Sequence, residues 1–140
     1  MGASDDSGLP EDARTLLRTG VDTYERLAVL ELLERNTNRR WTVGELSERL
    51  KLNTQLIEDA LSALQALGLV SSLPGHGSLY SPADPGTRTA AERLLQVYRE
   101  QPHRIIQLLS SYAIERVRTA ALRTFADAFV INKKKERDDG

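Results

Sequence analysis

Glu58 and Asp59 stand side by side within NTQLIEDALSALQALGLV, residues 53–70. Paired carboxylates can exchange protons or hold a cation. These two are neighbours on one helical turn, with no base or nucleophile indicated beside them. The chain has no cysteine, and its only histidines, His76 and His103, lie far apart in sequence. Thiol chemistry, disulfides and Cys-based zinc sites are thereby excluded, and a His-rich metal site is not expected. No glycine-rich phosphate loop is present. The residues therefore point away from an enzyme: no catalytic residue, no metal and no cofactor are expected. What the stretch does offer is polar chemistry at a helix start. At Asn53, Thr54 and Gln55, side-chain amides can read base edges and backbone N–H groups favour phosphate. Glu58 and Asp59 can accept from cytosine N4, meet a basic protein partner, or form a solvated face with no partner.

Composition narrows the classes. The net charge of −1 gives nucleic-acid binding no support and does not exclude it. The charge is unevenly spread. Residues 22–102 hold nine basic and eleven acidic side chains, a net −2, whereas residues 103–140 hold eight and five, a net +3. No apolar run approaches the roughly 18 residues of a membrane helix. The start, MGASDDSGLPED, has no apolar core of a signal peptide, and Asp6 stands where a myristoylation motif wants Ser or Thr. The expectation is a cytoplasmic protein with no membrane partner.

Elements must position these residues. Pro10 opens a short helix that ends before Gly20. Asp22 is expected to cap a second helix, with Glu25 as its capping-box partner. Leu27, Val29, Leu30, Leu32 and Leu33 give that helix a broad apolar stripe. Arg39–Trp41 reads as a short strand, with Trp41 packing beneath the hairpin predicted further along the chain. Thr42 and Glu45 box a third helix, with Val43, Leu46 and Leu50 on its inner face. Asn53 or Thr54 caps the next helix. There Ile57, Ala60, Leu61, Leu64 and Leu67 recur at helical spacing, and Thr54, Gln55, Glu58, Asp59, Ser62 and Gln65 face out. Gly68 stops it. Strands over Leu69–Leu73 and Ser78–Ser81 flank the turn Pro74-Gly75-His76-Gly77. Asp84-Pro85 starts a helix with an apolar stripe at Ala91, Leu94, Leu95 and Tyr98, broken by Pro102. From His103 to about Ile131 there is neither Gly nor Pro, which predicts one long helix, or two if Ser110-Ser111 caps a second. Ile106, Leu109, Ala113, Val117, Ala121, Phe125 and Ala128 lie along one face of it.

The order helix, short strand, helix, tight turn, helix, hairpin resembles the winged helix-turn-helix domain of bacterial regulators of the MarR and ArsR type. The resemblance covers roughly residues 22–84. Thr42-Val43-Gly44-Glu45-Leu46, the turn Leu50-Lys51-Leu52-Asn53, and Ala60-Leu61-x-x-Leu64-x-x-Leu67-Gly68-Leu69-Val70 carry it. It implies a mainly α fold, three helices plus a β-hairpin wing, followed here by a long C-terminal helical extension. It implies double-stranded DNA as partner, with helix 54–67 in the major groove and Asn53, Thr54, Gln55 and Ser62 at base edges. Arg39, Arg40, Arg49, Lys51 and His76 would then contact the DNA backbone. Regulators of this type are commonly homodimers built by helices outside the winged core. Ile106, Leu109, Val117, Phe125 and Phe129 are the interface candidates here. Members that bind DNA usually carry Ser, Thr, Arg or Lys near Glu58 and Asp59, and many place Arg or Lys at the wing tip, where this chain has only His76.

Two functions therefore stay open. One is a dimeric transcriptional regulator. The other is a winged-helix protein–protein interaction module that does not bind DNA, using the acidic helix 54–67 with Glu58 and Asp59, or the C-terminal helix, as its docking surface. The expected organisation is a tail with a short helix over 1–20, the winged domain over 21–84, a dimerising helical extension over 85–131 and a charged tail over 132–140.

Overall fold

The computed structural model describes residues 8–139, with side chains through Ala128. The architecture is mainly helical with one two-stranded antiparallel sheet among the described residues. The elements are α1 (Glu11–Thr19), α2 (Tyr24–Arg35), α3 (Val43–Leu50), α4 (Thr54–Ala66), β1 (Val70–Leu73), β2 (Gly77–Tyr80), α5 (Pro85–Glu100) and α6 (Pro102–Asp139). The chain divides into two units, the first ending at Leu109 and the second starting at Ser110.

In the first unit α2 is the central helix. Leu27, Ala28, Val29, Leu30, Leu32 and Leu33 are all buried, so it is covered nearly all round rather than along one stripe. It packs against α3, α4 and β2. Its cap differs from expectation. Thr23, in extended conformation, accepts from the Arg26 amide at 3.2 Å, and Asp22 instead pairs with the Arg26 guanidinium at 2.8 Å. Asp22 starts too early to reach the orphan amides, and its carboxylate is used by a cation four residues on. α1 packs on α5, joined at the surface by Arg93 and Asp12 at 3.3 Å.

α3 carries the expected capping box, with Thr42 and Glu45 each satisfying the other's backbone N–H. Lys51 turns the chain in the left-handed region at φ 59°, and Asn53 then caps α4 by accepting from the Leu56 amide at 2.8 Å. α4 buries Ile57, Ala60, Leu61 and Leu64. It ends in a Schellman motif: Gly68, at φ +77°, donates to the Gln65 carbonyl and Leu69 to the Leu64 carbonyl.

β1 and β2 pair with Val70 opposite Tyr80 and Leu73 opposite Gly77, each strand offset by about one residue from its expected span. Of the expected strand Arg39–Trp41, only Trp41 pairs, through two backbone hydrogen bonds of 2.8 Å to Ser78. Gly77 permits this approach. A Cβ there would stand 2.6 Å from the Trp41 carbonyl oxygen, and the residue sits at φ +92°. Leu73, expected among the apolar contributors, is 47% exposed, because it belongs to the hairpin's far end rather than to the core. Asp84 caps α5 through the Thr87 amide, as expected.

α6 begins at Pro102 and runs as one helix past Ser110-Ser111, with helical backbone to Asp139 where a tail after Ile131 was expected. At its start the buried positions are Ile105 and Leu109. The stripe expected through Ile106 and Leu109 is therefore not one face by burial, since Ile106 is partly exposed. Among the described residues no helix is long and apolar enough to cross a membrane.

Candidate functional site

The outer face of α4, the hairpin and the segment Trp41–Val43 enclose a groove of about 620 Å³. Two elements fix its walls. The inner face of α4 is held in the core by Ile57 and Leu64, which turns Glu58, Ser62 and Gln65 outward one turn apart. The hairpin is held by the Trp41 bridge and by a hydroxyl pair, Ser72 to Ser78 at 2.6 Å. Trp41 itself is buried, and its indole N–H finds no hydrogen-bond partner among the described residues.

Charge in the groove is sparse. Glu58 is its single charged lining residue, and no lysine or arginine lines it. Glu58 has no ion-pair partner among the described residues, whereas Asp59 accepts from the Gln55 amide at 3.0 Å. The two acids also face different recesses. Asp59 lines a smaller hollow of about 140 Å³ with Thr23, Glu25 and Arg26 at the start of α2. Successive residues on a helix point about 100° apart, so adjacency in sequence does not make a shared site.

The cations expected at a phosphate backbone fall into two groups. Arg39 lies 3.6 Å over the Trp41 ring and 3.5 Å from the Glu45 carboxylate. Arg40 donates to the Gly77 carbonyl at 3.3 Å. Both are thus engaged within the protein. The Thr42 amide holds the Glu45 carboxyl below its ordinary range against desolvation, and the Thr42 hydroxyl and Arg39 add to the lowering. Arg49 and Lys51, in contrast, are exposed at the α3–α4 connection, outside the groove lining. His76 is exposed at the hairpin turn. Of the expected base readers, Asn53 commits its side-chain oxygen to the α4 cap and Gln55 its amide to Asp59. Thr54 and Ser62 are exposed.

On α6 the expected interface divides. Leu109 is 7% exposed and so is buried within the single chain, leaving little of it for a partner to cover. Val117 and Phe125 are 69% and 71% exposed. Phe129 lies outside the residues whose side chains are described. Ile114 and Leu122, at 59% and 64%, belong to the same exposed set and were not singled out from the sequence. Ile114 recurs with Val117, Ala121 and Phe125 at helical spacing, whereas Leu122 stands outside that series. Among the described residues no three His, Asp or Glu side chains cluster as metal ligands would. No family model, curated protein or solved structure matches this chain.

Proposed function

We propose that the chain is a winged helix-turn-helix protein that docks a protein partner on the face formed by α4 and the hairpin, working as a homodimer joined through α6. The charge of that face carries the docking reading: Glu58 lines the groove and no cation does. Duplex DNA presents about one phosphate charge per 1.7 Å of axis. A face laid against it is repelled at Glu58 and Asp59, and of the four cations expected at the backbone Arg39 and Arg40 are engaged within the protein. A protein surface imposes no such field. The winged-helix reading is supported by the capped α3, the left-handed turn at Lys51, the capped α4 and the hairpin bridged to Trp41. Pairing through α6 is supported by its exposed apolar residues Ile114, Val117, Leu122 and Phe125, which recur along one side of the helix.

A second reading, a DNA-binding transcriptional regulator, is favoured by one observation. Arg49 and Lys51 are exposed just before the first turn of α4, where free backbone amides also attract phosphate. One titration separates the two: anisotropy of labelled random duplex DNA at about 50 mM and about 200 mM salt, between which phosphate-driven binding falls steeply. The docking reading expects no binding by micromolar protein at either salt. Micromolar binding that collapses at the higher salt would replace it with the second reading.

A further inference from the structure

The docking reading leaves the partner's chemistry open, and the groove narrows it. One side is apolar: Leu73, nearly half exposed, and Pro74 stand on the hairpin, above a floor where Trp41 and Leu61 are buried. The other side is polar, with Ser62 and Gln65 around the carboxylate of Glu58. That carboxylate has no ion-pair partner among the described residues, and no lining cation competes for it. The frame is already built, since two backbone hydrogen bonds hold Trp41 to Ser78 and the hydroxyl pair ties β1 to β2. A segment that binds here therefore meets little ordering cost on the protein's side.

Resting on the docking reading, we infer that the groove takes a short protein segment with an apolar side chain next to a lysine or arginine. The apolar group lies against Leu73 and Pro74, over the floor that Trp41 forms, and the cation reaches Glu58. A charge-assisted hydrogen bond beside an apolar groove is stronger than its fully exposed equivalent and fixes the direction of the segment. An acidic segment is rejected by the same carboxylate.

The test is a selection of random peptides displayed on phage against the immobilised full chain, followed by titration of synthetic copies. Trp41 is the only tryptophan of the chain, so its emission reports occupancy of the groove. Enriched peptides are expected to share an apolar residue beside Lys or Arg and to shift the Trp41 emission. Their affinity should fall about tenfold or more on Glu58→Lys, the scale of one charge-assisted hydrogen bond. It should fall by a smaller factor on Leu73→Ser. Both positions are exposed, and circular dichroism checks that the variants fold. Enriched peptides without a cation, or indifferent to Glu58→Lys, or silent at Trp41, would overturn this inference and leave the docking reading standing. No enrichment at all would overturn both.

Discussion

Residues 8–109 and residues 110–128 use the same kinds of apolar side chain in opposite ways. In the first stretch Leu17, Leu27, Leu30, Leu33, Leu46, Leu64 and Leu94 are fully buried. In the second Ile114, Val117, Leu122 and Phe125 each keep more than half of their surface in solvent. What differs is the number of neighbours on offer. α2 meets α3, α4 and β2, so every side of it finds an apolar surface. A helix stripe that meets no such surface stays open, and in proteins most helical stability comes from such packing rather than from propensity. The first stretch supplies its own partner surfaces, whereas the second presents a surface.

The contrast can be broken from either side. Leu30→Ala empties a site at the centre of α2 and should cost about 2–5 kcal/mol, read as a lower urea midpoint. Val117→Ala in the exposed stripe should change the stability of the single chain by less than about 0.5 kcal/mol. An equal effect at the two positions would abolish the contrast. Phe125→Glu puts a charge into the proposed α6 seam. Light scattering should then fall from twice the chain mass to the chain mass, with the first unit's unfolding unchanged. A wild-type chain that is already monomeric removes the dimer from the proposal.

The buried side has a pH signature of its own. Burial, helped by Glu92 and Glu34 and opposed by Arg88, pushes the Tyr80 hydroxyl up to about 12 from an ordinary 10. That hydroxyl also has no hydrogen-bond partner among the described residues. The folded value lies above the unfolded one. Its contribution is therefore fully present below pH 10 and lost as the pH rises through 12. The loss should be about 3 kcal/mol at most. Tyr80→Phe should remove this part of the alkaline decline and leave stability near neutral pH unchanged or slightly higher, since no hydrogen bond is lost. An identical alkaline decline in the variant would place the titration elsewhere. A smaller effect sharpens a single cap. Thr23→Ala should cost α2 about 1 kcal/mol. Asp22→Ala, which removes a pairing with Arg26, should cost less. The reverse order would restore Asp22 as the cap.

Local signals were legible where chemistry and position coincide. Thr42 with Glu45, Gly68 after α4 and Asp84-Pro85 before α5 are each satisfied within a few residues, so sequence alone places them, and it narrows the α4 cap to Asn53 or Thr54. The register between Asp22 and Thr23 was not legible, because both residue types cap and the choice turns on which one the Arg26 backbone amide reaches. The site was half legible. The outward face of α4 came from helical periodicity. The groove did not, because its far wall lies on residues 72–78, brought across by the bridge between Trp41 and Ser78. The two-arginine run was misleading in the same way. Nothing in its sequence shows that Arg39 lies over a tryptophan ring or that Arg40 reaches the hairpin.

The sequence by itself determined a mainly helical chain with one hairpin, no cysteine and an acidic outer face on the helix that starts at Thr54. These features come from periodicity, capping and turn chemistry, all of which act over a few residues. Only the tertiary structure decided that Glu58 and Asp59 serve different recesses and that Arg39 and Arg40 are engaged within the protein. It also decided that Leu109 is buried while Val117 and Phe125 are open. The reason is physical. Whether a side chain is available depends on which distant surface reaches it, and that is a property of packing rather than of the chain's local pattern.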